Sequence, residues 1–73
     1  MKALDIKKYL DEVFSHFLFE YNGENCGVDP ISRTHFDMWY GDKEMTAESI
    51  DEVMEVPFFD GLSLTEIAKN IEM

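Results

Sequence analysis

Cysteine is nearly absent from this chain. Cys26 stands alone among 73 residues, so no intramolecular disulfide can brace the fold, and a reducing compartment suits it. Long apolar runs are missing too. The longest, such as Phe17-Leu18-Phe19, fall far short of the ~20 residues that cross a bilayer as a helix. No basic segment precedes an apolar stretch at the start, so no signal peptide is expected. No Asn-x-Ser/Thr site occurs. Together these absences make a cytoplasmic location the expectation. Cations are scarce: 6 Lys and Arg stand against 16 Asp and Glu, a net charge of −10. Such a field disfavours direct binding to nucleic acid or an anionic membrane, whose phosphates need Lys and Arg to neutralise them, and neither is expected as a partner. GxxxxGK[ST], GxGxxG and CxxC are all absent, so neither a phosphate-cradling loop nor a dithiol site is expected, and no cofactor.

What is present argues for a folded domain. The chain is 45% hydrophobic and carries six Phe, three Tyr and one Trp, too much apolar surface for a disordered segment. Its length allows one small domain, residues 1–73, that buries only about 60% of its unfolded surface. The acid excess is uneven: net −2 over residues 1–36 and −8 over residues 37–73. That asymmetry permits a basic protein partner, although net charge speaks to solubility before it speaks to partners.

The clearest local message lies between Arg33 and Ala47. Gly41-Asp42 separates two alternating runs, and glycine at the first central position is the type II′ signature of a two-residue hairpin. The register that follows pairs Tyr40 with Lys43, Met38 with Met45 and Phe36 with Ala47. Alternation then places these residues on one, mostly apolar face. Arg33, His35, Asp37, Trp39, Glu44 and Thr46 fall on the other.

Upstream, Ile6, Leu10, Val13 and Phe17 recur at helical spacing, with Phe14, Leu18 and Tyr21 widening the stripe. The pattern predicts a helix from residue 5 to about 20, capped by Asp5 and stopped by Asn22-Gly23. Phe19 lies outside the stripe. Residues 22–32 read as loop, with a short edge strand over 26–28 and a type I turn at Asp29-Pro30. Strands over 26–28, 33–40 and 43–47 would form a three-stranded meander. Downstream, Ile50, Val53 and Met54 mark a short helix that Pro57 ends, with Ser49 and Glu52 as a capping box and Thr46 as a competing cap. Ser63 and Glu66 form another box, before the stripe Leu64, Ile67, Ala68 and Ile71. The expected fold is therefore α+β: an N-terminal helix, a small antiparallel sheet (hairpin or three-stranded meander) and two short C-terminal helices packed on it. The expected core joins Phe36, Met38, Tyr40 and Met45 to Ile6, Leu10, Val13, Phe17, Ile50, Val53, Leu64, Ile67 and Ile71.

Catalytic and metal chemistry find little support. His16 has Glu12 and Glu20 four residues to either side, but a closed zinc site normally needs four ligands. Cys26 with His35 and Asp37 is conceivable as an activated thiol, yet a lone cysteine is commonly a small buried hydrophobe. Residues 22–33 imitate a calcium loop at Asn22, Glu24 and Gly27, then place Arg33 where a bidentate Glu belongs. The expectation is a non-enzymatic protein-binding module with no metal. Two surfaces are candidates. One is the polar hairpin face with Arg33, His35, Trp39 and Glu44, where a tryptophan beside an arginine has hot-spot composition, unless the first helix or the loop before it covers the indole. The other is the acidic set Glu48, Asp51, Glu52 and Glu55, which could act as a decoy for a basic, nucleic-acid-binding protein.

Overall fold

The protein, described here by a computed structural model over residues 2–71, is an α+β fold. Helix α1 (Ala3–Lys8) leads through a π-helical turn, Tyr9–Val13, into a four-stranded antiparallel sheet. Its strands are β1 (Phe17–Tyr21), β2 (Glu24–Ser32), β3 (His35–Tyr40) and β4 (Lys43–Ala47), and their spatial order is their chain order. Helices α2 (Ile50–Glu55) and α3 (Leu64–Ile67) follow, the latter continuing as a 3₁₀ turn over Ala68–Asn70.

The hairpin register is as the turn demands: Tyr40 faces Lys43, Met38 faces Met45 and Phe36 faces Ala47. Gly41 has φ +60°, while Asp42 is not in the left-handed region, which is the type II′ pattern. The parity of the ladder follows. The Gly41 amide donates to the Asn25 carbonyl of β2 (2.8 Å). Odd-numbered residues of β3 thus bond β2, and Phe36, Met38 and Tyr40 bond β4.

The first helix is shorter than its apolar spacing predicts. It ends at Phe14, which takes a left-handed conformation (φ 55°) as its amide bonds the Tyr9 carbonyl at 3.2 Å. Residues 17–21, expected as helix, are strand β1. Their burial alternates, with Phe17 and Phe19 inward and Leu18 and Glu20 outward. Asn22-Gly23 is accordingly not a helix stop. Both residues have positive φ (54° and 75°), the type I′ turn that joins β1 to β2. Val13 and Leu18, counted in the helical stripe, are 60% and 54% exposed.

The second correction concerns Asp29-Pro30, which is strand rather than turn. β2 is a long inner strand, and the turn falls at Arg33-Thr34, after an irregularity between Pro30 and Ser32. Proline is tolerated inside β2 for a geometric reason. Even-numbered residues of β2 bond towards β1, and β1 begins at Phe17, opposite Val28. The missing Pro30 amide therefore faces a position where no strand pairs with it.

All helices lie on one side of the sheet. Ile6, Leu10, Val53, Met54, Leu64, Ile67, Ala68 and Ile71 form one core with Phe17, Phe19, Cys26, Val28, Phe36, Met38, Ala47 and Phe59. Tyr40, Met45 and Ile50 pack at its margin. Ser63 and Glu66 make the full capping box (3.2 and 3.0 Å). At α2 the box is incomplete. Ser49 accepts from the Glu52 amide (3.1 Å), but the Glu52 carboxylate takes the Glu48 amide (2.6 Å). No helix among the described residues is long and apolar enough to cross a membrane.

Candidate functional site

With the helices gathered on one side, no second layer covers the other face of the sheet among the described residues. Leu18 and Glu20 of β1, Asn25, Gly27 and Asp29 of β2, His35, Asp37 and Trp39 of β3, and Glu44 and Thr46 of β4 share it by parity. One cross-strand row runs Leu18, Gly27, Trp39, Glu44, and the next runs Asp29, Asp37, Thr46. Glycine in the first row has a steric purpose. The indole of Trp39 lies flat on Gly27, so close that a Cβ there would stand 2.7 Å from both Cε2 and Cη2, and nearer still to Cζ2. This leaves Trp39 half-buried, seated on backbone rather than covered by helix or loop. The first helix, which could have crossed this face, packs on the opposite side.

Beside the indole is a shallow depression of ≈ 470 Å³, bordered by Asp29, Asp37, Trp39, Glu44 and Thr46. Asp29 and Asp37 are direct cross-strand neighbours, an arrangement that like charges disfavour. Asp37 Oδ1 is met by His35 Nε2 at 2.9 Å and by the Thr46 hydroxyl at 3.4 Å. Four carboxylates, Glu20, Asp29, Asp37 and Glu44, thus share this face with a single imidazole. None of the six Lys and Arg residues joins them: Lys2, Lys7 and Lys8 belong to the N-terminal helix or its cap, Arg33 to a turn, Lys43 to the helix-side face and Lys69 to the final turn.

Arg33 is the sequence candidate that the structure moves furthest. It lies in the β2–β3 turn and reaches away from Trp39. Its Nη1 donates to Asp11 Oδ1 (2.7 Å) and the Asp11 carbonyl (2.9 Å), and its guanidinium stands 4.4 Å over the Phe14 ring. The cation thus braces the left-handed end of the π-helical turn. His35, Trp39 and Glu44 do share the open face. The helical acids are largely engaged within the fold. Asp51 pairs with Lys7 Nζ (2.9 Å), Glu52 caps the Glu48 amide, and Glu55 accepts from the Thr65 hydroxyl (3.2 Å). The side chain of Glu48 is exposed.

Cys26 is 1% exposed and belongs to the core. The sheet itself separates it from His35 and Asp37, so these three do not come together. Burial pushes its thiol up from the ordinary value, the opposite of what a nucleophile requires, and Sγ donates to the Glu24 carbonyl at 3.5 Å. Glu12, His16 and Glu20 are likewise dispersed over the π-helical turn, the connection after it and β1. Among the described residues no group of three or more His, Cys, Asp and Glu is arranged to hold a metal ion. Residues 22–33 form a hairpin turn and β2 rather than a loop closing on an ion.

Leu18, Glu20, Gly27 and Asp29 are members of this face that sequence reasoning did not place there, whereas Asp37 and Thr46 were assigned to it by the hairpin register. Leu18 and Glu20 needed residues 17–21 to be strand, and Gly27 and Asp29 needed β2 to be extended through Pro30. No family model, curated protein or solved structure matches this chain.

Proposed function

We propose that this chain is a non-enzymatic interaction module that binds a basic protein through the uncovered face of its sheet. One observation carries the reading: four carboxylates and no Lys or Arg surround a tryptophan whose ring is held on Gly27. Tryptophan supplies contact area, the carboxylates select a cationic partner, and an indole face is itself a good site for guanidinium or ammonium. The ring is also positioned before a partner arrives, which lowers the ordering cost of binding. Exposed Leu18 adds apolar area in the same row as Trp39. A rim of acids around such a patch governs association rate and partner choice more than affinity.

Octa-arginine and octa-glutamate peptides test the proposal, with backbone amide shifts as the readout at 50 and 300 mM salt. Octa-arginine is expected to shift Glu20, Asp29, Asp37, Trp39 and Glu44, and to weaken at the higher salt as exposed charge pairing is screened. Octa-glutamate is expected to shift none of them. Octa-arginine shifts confined to Glu48, Asp51, Glu52 and Glu55 would overturn the sheet-face reading and favour the helical acids as a decoy surface. No binding of octa-arginine would overturn both.

A further inference from the structure

The flat extent of the open face sets a limit on how a partner can hold it. Four strands ~4.8 Å apart and about five residues long at ~3.4 Å each cover on the order of 300 Å² in projection. A standard protein interface takes roughly 800 Å² from each partner. The face is small beside that, and the structure offers an adjoining contact at the edge of β4.

Ladder parity fixes which groups that edge presents. Lys43, Met45 and Ala47 turn their amides and carbonyls inward to Tyr40, Met38 and Phe36. Glu44 and Thr46 consequently turn theirs outward. β4 is the last strand of the sheet, so among the described residues no further strand pairs with them. The side chains of the same two residues rise on the open face and border the depression beside Trp39. Edge and acidic face are thus continuous along β4. The opposite edge, at Leu18 and Glu20, is also unpaired by a strand, but it is remote from this depression and from Asp37 and Glu44.

We propose that β4 receives an extended basic segment of the partner as a fifth strand. Its backbone bonds Glu44 and Thr46, and its alternate Arg or Lys side chains lie over Glu44, Asp37 and the Trp39 ring. Strand addition draws affinity from main-chain hydrogen bonds and specificity from every second side chain, and here that specificity is for cations. The inference rests on the sheet-face reading and adds the edge to it.

The probe is acetyl-(Arg-Thr)₄-amide, which carries one basic face when extended. Its strand-forming contacts are read by amide hydrogen exchange on the wild-type protein. Exchange at Glu44 and Thr46 is expected to slow at least about tenfold in the complex, with Leu18 and Glu20 unchanged. Thr46→Pro is the matching variant. Its lost amide makes no bond to β3, and proline is tolerated on an edge strand, yet it removes a donor that the added strand requires. Binding of (Arg-Thr)₄ by the folded Thr46→Pro protein is expected to fall at least about tenfold. Unchanged exchange at Glu44 and Thr46 on binding would overturn strand addition, as would protection at Leu18 and Glu20 instead. Equal binding by a folded Thr46→Pro protein would do the same. In each of these cases the sheet-face proposal survives if octa-arginine still shifts the open face. Should Thr46→Pro fail to fold, the wild-type exchange pattern alone decides.

Discussion

Gly27→Ala perturbs the feature on which the candidate site depends. The added methyl would stand 2.7 Å from two ring carbons of Trp39, closer than any van der Waals contact, and a fused ring cannot bend away as a flexible chain would. Either the indole leaves its seat or β2 and β3 part. The first is cheaper, because nothing covers the ring. A half-buried indole then gives up roughly 100 Å² of contact, about half of what a buried aromatic contributes. At ~25 cal/mol per Å² this is about 2.5 kcal/mol. Against it stands the removal of a mid-strand glycine, which returns about 0.5–1 kcal/mol. The net loss is about 1.5–2 kcal/mol, or about 6–16 °C in melting temperature for a domain of this size. Tryptophan fluorescence reads the mechanism directly, since Trp39 is the sole tryptophan. Emission should shift to the red and acrylamide quenching should rise. In a Trp39→Ala background the sign reverses: Gly27→Ala should be neutral or stabilising, because no ring remains to be displaced. An unchanged emission maximum, or an equal cost in both backgrounds, would refute the seating of the ring on Gly27.

Phe36 is 1% exposed, and Phe36→Ala should cost roughly 3–5 kcal/mol, enough to unfold so small a domain; chemical denaturation measures it. Gly41→Val combines a β-branched residue with φ +60° and places a Cβ 2.5 Å from Glu24 Oε2, so a loss of about 1 kcal/mol or more is expected in the same assay. Cys26 should resist thiol reagents until the protein unfolds. Its raised thiol pKa stabilises the fold fully below the unfolded value, near pH ~8.5, and that contribution disappears as pH rises through the folded value. Wild type should therefore lose stability between pH 7.5 and 10 more steeply than Cys26→Ala. Equal slopes would show that the thiol is not the titrating group.

The hairpin was legible because turn chemistry and side-chain alternation agree there. Gly41 requires a tight turn, and Phe36, Met38 and Tyr40 alternate with His35, Asp37 and Trp39 on either side of it. Ser63 with Glu66 was legible for the same reason, a cap followed by an apolar stripe. The stretch from Val13 to Tyr21 is different. Ile6, Leu10, Val13 and Phe17 satisfy a helical period, while Phe17, Phe19 and Tyr21 satisfy a strand period, and one run of aromatics serves both. Asn22-Gly23 does not arbitrate, since it ends helices and closes hairpins equally well. What separates the two readings is non-local. As a strand, Phe17–Tyr21 gains a full ladder with Glu24–Val28 and still buries Phe17 and Phe19.

The open face shows the same division between local and non-local information. Turn parity alone sends Trp39 and Glu44 to the side opposite Met38 and Met45, and the structure agrees. Whether that side would be covered depended on where the first helix packs, which its own sequence does not specify. Once Phe17–Tyr21 becomes strand, only the chain before Phe14 remains as N-terminal helix. Ile6 and Leu10 are its fully buried side chains, and α1 meets α2 and α3 on the apolar face. The misread strand and the uncovered tryptophan are therefore one event. Extending the sheet by β1 shortened the helix that could have crossed it and placed Leu18 and Glu20 beside an already acidic surface. Pro30 is a second, separate cause: a β2 that runs on through it sets the register with β3 that brings Gly27 beneath Trp39 and Asp29 beside Asp37. The change of secondary structure at residues 17–21 thus frees the face on which the proposed function rests and adds Leu18 and Glu20 to it, while the β2–β3 register seats the ring on Gly27 and sets Asp29 beside Asp37.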